Sequence, residues 1–228
     1  MPSSRSVVLH LAGAVDVEVL APLRAHTRAV GSAHPLFSFA GPVGAAGLRG
    51  AALLVRGDPA ARRAARALAK AIGARVVDGR GIEPGRYHAA AVLLANGTVA
   101  LAEVAGSLLE QAGLADARLR ASALGALLRS VAENVENIGI SASLTGPVVR
   151  GDAATVRRHL EVLGSQPNVA ELYARLVRVQ LEMAQRQAGL SLSDARAIRA
   201  TVAGILSRPE RKISAGAKAQ ESVKTRKK

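Results

Sequence analysis

Residues 51–77, AALLVRGDPAARRAARALAKAIGARVV, decide the fold, because they read in order as a strand, a helix and a second strand. The segment opens on an unbroken apolar run of the kind found in strands that are covered on both faces. Asp58 and Pro59 then supply a helix cap followed by proline at the first helical position. Gly73 ends the predicted helix, and Arg75–Val77 predicts the next strand.

Two more strand candidates precede this unit. Val7–Leu11 is a short apolar run that leads into Gly13, and Arg28–His34 is stopped by Pro35. A short helix over Asp16–Ala25 is expected between them, with Asp16 as its cap. This alternation of strands and helices over roughly the first 80 residues predicts an α/β layer with a largely parallel sheet.

The pattern changes after Asp78. Glycines and prolines at 79–85 form a linker-like break, and the remaining sequence has the apolar period of helices. The predicted helices are Pro84–Ala112, Ala115–Asn137, Asp152–Leu163, Val169–Ala188 and Ser193–Leu206, with a loop at 139–151. The predicted fold class is therefore α/β followed by all-α, with an α/β domain at 1–80 and a helical domain at 84–206.

Charge and composition limit the classes of function. The net charge is +14, and the last 21 residues, 208–228, carry eight Lys or Arg and two Glu, a net charge of +6. Residues 207–228 are therefore predicted to be a disordered basic tail, suited to weak, salt-sensitive attraction to polyanions. Aromatic residues make up 2% of the chain, so specific nucleic-acid binding through stacking is not expected.

The sequence also predicts that the chain has no disulfide, no metal site and no membrane span. The chain has no cysteine, which excludes disulfides and thiolate chemistry, and no group of His and carboxylates has the spacing of a metal site. The longest apolar stretch, Ala89–Ala102, is shorter than the roughly 18 residues that a membrane span needs. A cytoplasmic protein that does not enter a membrane is expected.

Residues 144–152, LTGPVVRGD, form the most distinctive loop of the helical half. Gly146 and Pro147 predict a tight turn and Asp152 a helix cap, which leaves Thr145 and Arg150 unexplained. An arginine beside a helix start suits a carboxylate or phosphate, so Thr145 and Arg150, with Asn137 just ahead, are candidate substrate-binding residues. The alternative is that Arg150 simply pairs with Asp152 or a nearby glutamate.

No phosphate-binding loop of the dinucleotide type is found. Such folds open with a strand, the pattern G-x-G-x-x-G and a helix, whose N-terminus receives the pyrophosphate. Gly41, Gly44 and Gly47 are spaced suggestively, but they follow Pro35 and Phe39 without a helix signal after them. We interpret this glycine-containing segment as a mobile loop.

Several segments together resemble a known family. They are VLHLAG at 8–13, GSAHPLFSF at 31–39, YHAAA at 87–91 with Asn96, and LTGPVVRGD at 144–152. They resemble Rossmann-like oxidoreductases with a C-terminal helical domain of unknown function, related to ketopantoate reductases and the 6-phosphogluconate dehydrogenase superfamily. The resemblance implies NADP as cofactor, a small 2-keto or 2-hydroxy acid as substrate, and a truncated Rossmann-like domain whose glycine-rich unit lies upstream of Met1.

The resemblance also suggests roles for individual residues. The superfamily commonly carries a proton-donating lysine on the first long helix, where this chain has His88, a possible general acid, and Asn96. His88 could instead bond a backbone carbonyl, and Asn96, expected to be buried, could instead contact another helix. His34 and Ser38 follow a strand at the carboxyl edge of the sheet and are predicted to border the nicotinamide, whereas His10 is interpreted as structural.

Three hypotheses follow from the sequence. The first is an NADP-dependent, ketopantoate-reductase-like oxidoreductase that acts on a small-molecule substrate. The second is a catalytically silent helical module that forms a homodimer or covers a partner with exposed apolar helices. The third and weakest is a basic protein associated with nucleic acid through its tail.

Overall fold

The computed structural model of the protein describes residues 4–187 and 189–207. They form a four-stranded sheet with helices, followed by helices alone, which confirms the predicted fold class. The chain divides into two compact units between Ala115 and Asp116. The predicted boundary between the two domains, at residues 80–84, lies earlier in the chain and stays a prediction. The predicted tail at 207–228 lies almost wholly outside the described residues.

The first unit carries the sheet. Its strands are β1 (Val7–His10), β2 (Ala29–Leu36), β3 (Ala52–Gly57) and β4 (Arg75–Asp78), and its α-helices are α1 (Pro59–Ile72) and α2 (Pro84–Gln111). Short 3-10 helices occupy Val17–Leu23 and Ala45–Leu48. The first of these replaces the predicted short helix, and Pro22 lies inside it, while Asp16 caps it as predicted.

The sheet has the strand order β1-β2-β3-β4. β1 pairs with β2 and β3 with β4 in parallel, but β2 and β3 are antiparallel, with Ser32 opposite Arg56. The prediction of a largely parallel sheet is therefore wrong for the central pair. A parallel pairing needs a crossover, usually a helix, and residues 37–51 between these strands contain a 3-10 helix of four residues.

Helix α1 covers one face of the sheet through small residues. Ala61, Ala65 and Ala69 recur every four residues along α1 and are fully buried. The last two pack in one cluster with Ala33, Leu53 and Val55 of the sheet. Close approach also requires glycine in β2, because a Cβ on Gly31 would lie 2.8 Å from the Ala61 Cβ. This face is the apolar core of the unit.

The opposite face of the sheet carries several polar side chains beside the buried Val30 and Leu54. His10, Ser32 and Arg56 are aligned across three strands, and residues paired across a sheet project to the same face. His34, two residues beyond Ser32, projects to that face as well. Ser32 is 1% exposed and Arg56 is 8% exposed, so these polar groups lie beneath the surface.

The second unit consists of α3 (Ala117–Ile138), α4 (Ala153–Val162), α5 (Pro167–Arg186) and α6 (Leu192–Leu206). Asp152 caps α4 as predicted, by accepting hydrogen bonds from the Thr155 N–H at 2.9 Å and its hydroxyl at 2.6 Å. The core lies among α4, α5 and α6, and it is built from Val156, Leu160, Val177, Leu181, Ile198 and Val202.

Helices α2 and α3 stand apart in their burial, because neither contains a buried residue. By length and composition alone, the 28-residue α2 could cross a membrane. Helix α2 is thus longer than Ala89–Ala102, the apolar stretch that was too short to predict a membrane span. This is weak evidence for a membrane span, because core helices of soluble proteins meet the same two criteria.

Candidate functional site

Polar side chains of β2 and α2 and a glycine of the loop after β1 meet over the face of the sheet that carries Ser32 and Arg56. β2 contributes His34, the start of α2 contributes Tyr87 and His88, and the loop after β1 contributes Gly13. The Glu83 carboxylate caps α2 by accepting hydrogen bonds from two backbone N–H groups of its first turn at 2.6 and 2.7 Å. This cap sets where α2 begins and hence where Tyr87 and His88 lie.

His34 is the centre of this group. Its Nδ1 lies 3.1 Å from the Tyr87 hydroxyl, and the two rings meet edge to face with centroids 5.5 Å apart. The His88 ring is also edge-on to His34, with centroids 6.0 Å apart. One imidazole therefore contacts both residues that α2 contributes.

Gly13 marks the point where the two imidazoles converge. It is buried, and a Cβ at this position would lie 2.7 Å from both the His34 Nε2 and the His88 Nδ1. Two atoms at that distance from one point cannot be farther apart than twice that distance. Both rings therefore pack directly against Gly13, and any side chain at residue 13 would displace them.

The His88 Nδ1 is buried, and it has no hydrogen-bond partner among residues 4–187 and 189–207. A buried polar atom without a partner loses its hydration without gaining a hydrogen bond, so such atoms are rare and often mark a functional site. The unpartnered nitrogen lies where the His34 Nε2 also points, so a ligand oxygen there would satisfy it.

Burial dominates the electrostatics of the site. Burial first, then the charges of His88, Arg56 and His10, lower the pKa of His34 below its ordinary value. The pKa of His10 is lowered by burial and then by Arg56, and burial raises the pKa of Tyr87. At neutral pH, His10 and His34 are therefore uncharged and Tyr87 keeps its proton.

Arg56 is a buried cation beside this group that the sequence analysis missed. Its Nη2 donates to the Val15 carbonyl at 3.0 Å, and its Nη1 lies 3.4 Å from an Asp16 carboxylate oxygen. In the sequence, Arg56 directly follows the apolar run Ala51–Val55. The signal in the sequence was a charged residue at the end of a buried strand, because the alternation of side chains along the strand places Arg56 on one of its faces.

The structure brings together two of the predicted site residues in the first unit, His34 and His88. Ser38 is exposed beyond the end of β2 and takes no described part in the group. The prediction that Asn96 is buried is wrong, because Asn96 is exposed on α2. Its amide needs no protein partner, and its role in a site stays a prediction.

The predicted substrate-binding residues lie in the second unit. Thr145 and Arg150 are exposed in the loop before α4, and Asn137 is exposed near the end of α3. The positive charge of Arg150 contributes to lowering the pKa of Asp152, after the larger effect of the Thr155 hydrogen bonds. The predicted turn at Gly146 is present, with a positive φ of 99° that favours glycine.

Within the part of the chain that the structure describes, no group of three His, Cys, Asp or Glu has metal-binding geometry. The imidazole pair suits a carbonyl or hydroxyl oxygen, as at the substrate end of an oxidoreductase site. The described residues do not fit the pyrophosphate of a dinucleotide, because Gly44 and Gly47 lead into and lie within a four-residue 3-10 helix. The glycine-containing segment is thus partly helical, where a loop was predicted.

A mixed sheet of four strands followed by helices is a Rossmann-like fold. Residues 51–179 match the family described as Domain of unknown function (DUF2520), and the chain belongs to this family. The resemblance inferred from the sequence is confirmed at this level, whereas likeness to ketopantoate reductases stays a prediction. No protein of curated function matches the chain.

Two solved structures share the fold. Protein TM1727 from Thermotoga maritima is 26% identical, with a TM-score of 0.64, and the match covers 80% of this chain and 70% of that one. The "putative NADP oxidoreductase BF3122" from Bacteroides fragilis is 22% identical, with a TM-score of 0.59, over 76% of this chain. This chain spans 64% of the length of BF3122, and at that identity the likeness shows the fold alone.

Proposed function

We propose that the chain forms the substrate-side part of an NADP-dependent oxidoreductase that acts on a small 2-keto or 2-hydroxy acid, in the manner of ketopantoate reductases. The observation that carries the proposal is the convergence of the His34 and His88 ring nitrogens on Gly13. The name of BF3122 supports NADP as the cofactor. The cofactor would supply or accept the hydride, and the side chains of this chain would manage the proton.

The tautomer of His34 follows from its neighbours. With the protonated Tyr87 hydroxyl as the donor to the His34 Nδ1, the neutral imidazole carries its own proton on Nε2. In this proposal that N–H polarises a substrate carbonyl oxygen placed beside Gly13. Tyr87 is thus a positioning residue, which sets the orientation and tautomer of the ring.

His88 completes the pair. Its unpartnered Nδ1 lies beside the same glycine. As an imidazolium ion, His88 would be the second donor to the carbonyl oxygen and would give that oxygen its proton as hydride adds to the carbonyl carbon, which leaves a neutral imidazole. Asn96 and Ser38 are proposed to assist at this end of the site. In the second unit, Arg150, with Thr145 and Asn137, is proposed to bind a carboxylate, because a guanidinium group binds a carboxylate through two parallel hydrogen bonds.

NMR of the histidine rings tests the substrate site directly. The chain has five histidines, so a spectrum of its labelled Cε1–H groups contains few signals. Titration with pyruvate or 2-oxobutyrate should shift the His34 and His88 signals in a saturable way. The exposed His26 and the Tyr173-bonded His159 are internal controls that should not move. Equal shifts at all five rings, or none at His34 and His88, would contradict the proposal.

Activity gives the second test. The His88→Ala variant should lower kcat for NADPH-dependent reduction much more than it raises KM, because a proton donor acts mainly in the transition state. Arg150→Ala should mainly raise KM for an anionic substrate. The chain alone should bind NADPH weakly, in the high micromolar range or above, because its described residues provide no pyrophosphate loop. Tight NADPH binding by this chain would show that the cofactor argument is wrong.

A second candidate function is supported by the exposed helices. We propose that the chain forms a homodimer through α3, where the exposed Leu128, Val131, Val135 and Ile138 recur at intervals of three and four residues. This spacing is typical of a seam between two helices. Charged residues on the rest of α3 argue for a protein partner and against lipid, and they favour a protein that remains in the cytoplasm.

Light scattering after size-exclusion chromatography tests this dimer. Leu128→Glu together with Val135→Glu should convert a dimer into a monomer, whereas Ala126→Glu, on the opposite side of the helix, should leave it unchanged. A wild-type monomer at high concentration would contradict the proposal. Flotation of the chain with lipid vesicles would indicate that its apolar helices bind a membrane instead. A dimer without reductase activity would favour the silent helical module.

A further inference from the structure

An open cleft of about 360 Å³ lies at the junction of β3 and α1. Four arginines line it, Arg24, Arg56, Arg62 and Arg80, together with the carboxylates of Asp16, Glu18 and Asp58. Its volume is in the range of small-molecule sites. The cleft is distinct from the group around His34 and His88, neither of which lines it.

The carboxylates of the cleft already have cationic partners. Asp58 binds the Arg24 Nη1 at 2.8 Å, and Glu18 lies 3.3 Å from the Nη2 of the same guanidinium. Asp16 lies 3.4 Å from Arg56. Arg62 is different, because its Nη1 donates to the Gly57 carbonyl at 3.0 Å and no ion pair joins it to a carboxylate within the described chain.

Two guanidinium N–H groups in the wall of the cleft lack partners. The Nε atoms of Arg56 and Arg62 are buried, and neither has a hydrogen-bond partner in residues 4–187 and 189–207. Arg56 is more than nine-tenths buried as a whole. Buried N–H groups of a charged side chain are costly to leave unpaired, and an anion in the cleft would balance the charge of these two side chains.

The residue that precedes α1 also lines the cleft. Asp58 occupies the N-cap position, but its side chain makes no capping hydrogen bond to the helix. Its carboxylate accepts instead from the Val30 N–H at 3.0 Å and from Arg24. The 14-residue α1 therefore opens on the cleft with its positive end uncapped by a side chain, which favours an anion.

We propose that this cleft binds the phosphate group of a small phosphate monoester, held by Arg62 and Arg56. Two guanidinium groups next to the positive end of a helix favour a dianion over a singly charged carboxylate. The rest of the molecule occupies the open part of the cleft. This binding is independent of the reductase chemistry proposed above.

Calorimetric titration at constant ionic strength tests the proposal with inorganic phosphate, glycerol 3-phosphate and acetate. Phosphate and glycerol 3-phosphate should bind saturably with one site per chain, and acetate should not. Arg62→Gln should weaken phosphate binding by about tenfold or more, as expected for loss of a charge-assisted contact. Arg63→Gln removes the same charge from an exposed neighbour outside the cleft and should change the affinity by less than about twofold.

NMR keeps the test independent of how the variants fold. In the wild-type chain, phosphate should shift the Nε–H signals of Arg56 and Arg62, and Arg62→Lys should restore part of the affinity because it keeps the charge without the planar fork. No saturable binding, equal loss in Arg62→Gln and Arg63→Gln, or unmoved Nε–H signals would overturn the site. Acetate binding as tight as phosphate, or exclusion of glycerol 3-phosphate, would overturn the assigned ligand class.

Discussion

Gly13→Ala is the most direct perturbation of the imidazole pair. The added Cβ would lie 2.7 Å from the His34 Nε2, 2.7 Å from the His88 Nδ1 and 2.9 Å from the His34 Cε1. These separations are too short for non-bonded atoms, so at least one ring must move. His34 is restrained by its bond to Tyr87 at 3.1 Å, and His88 has no such restraint at Nδ1. We therefore expect His88 to rotate away.

The size of the effect follows from what has to move. Overpacking in a well-packed interior costs about 1–3 kcal/mol, and here the displaced atoms are ring atoms rather than backbone. We expect a loss of roughly 1–2 kcal/mol in the free energy of unfolding, at the lower end of that range. The displaced His88 ring should also no longer lie beside His34, so that 2-oxobutyrate no longer shifts the His34 and His88 signals.

Chemical denaturation and histidine NMR measure the two consequences separately. Gly97→Ala is the matched control, because a Cβ there meets nothing within 4 Å on α2 and should be neutral or stabilising. A Gly13→Ala variant with wild-type stability and unchanged His34 and His88 signals would refute the convergence of the two rings. A destabilised variant that still binds the 2-keto acid would refute the location of the ligand.

Three further predictions follow from the same geometry. The pKa of His34 is lower in the folded than in the unfolded chain, so the unfolded state binds more protons below about pH 6.5. The free energy of unfolding should therefore fall as the pH drops from that value toward the folded pKa. In denaturation measurements from pH 5 to 8, the free energy of unfolding should depend less on pH in His34→Gln than in the wild type. Tyr87→Phe should change the tautomer-sensitive ring signals of His34 and leave those of His159, while Tyr173→Phe should do the reverse. Gly57→Ala should cost more than Gly13→Ala, roughly 3 kcal/mol or above by thermal melting, because its φ is +110° and its Cβ would meet the backbone of β2 at 2.4 Å; a smaller cost than Gly13→Ala would contradict this ranking.

Local signals explain the part of the fold that the sequence predicts well. Helix α1 begins at Pro59 after Asp58 and ends before Gly73, whose φ of 71° is the left-handed conformation expected there. Asp152 likewise caps α4 as predicted. The start of α6 is predicted less accurately, because the helix begins at Leu192 with Ser191 as its cap, whereas the predicted helix began at Ser193. Two serines with similar flanks offer equivalent local choices.

Features that depend on long-range pairing could not be predicted. An apolar strand pattern is the same in either direction, so nothing in Ala52–Gly57 indicates that β3 runs antiparallel to β2. The same limit applies to the site. His34 and His88 were each proposed from local context, but their contact and the steric role of Gly13 arise from a fold that joins segments far apart in sequence.

The row of alanines on α1 links the interior of the first unit to ligand affinity. Ala61 lies against Gly31 in the sheet, and the next residue in the chain is Arg62, which lines the phosphate cleft. With no larger side chain as a spacer, one added methyl group at Ala61 or Gly31 would lift the start of α1 and carry Arg62 with it. Natural variation could thus adjust how tightly an anion is held by changing interior volume, without altering any residue that touches the anion.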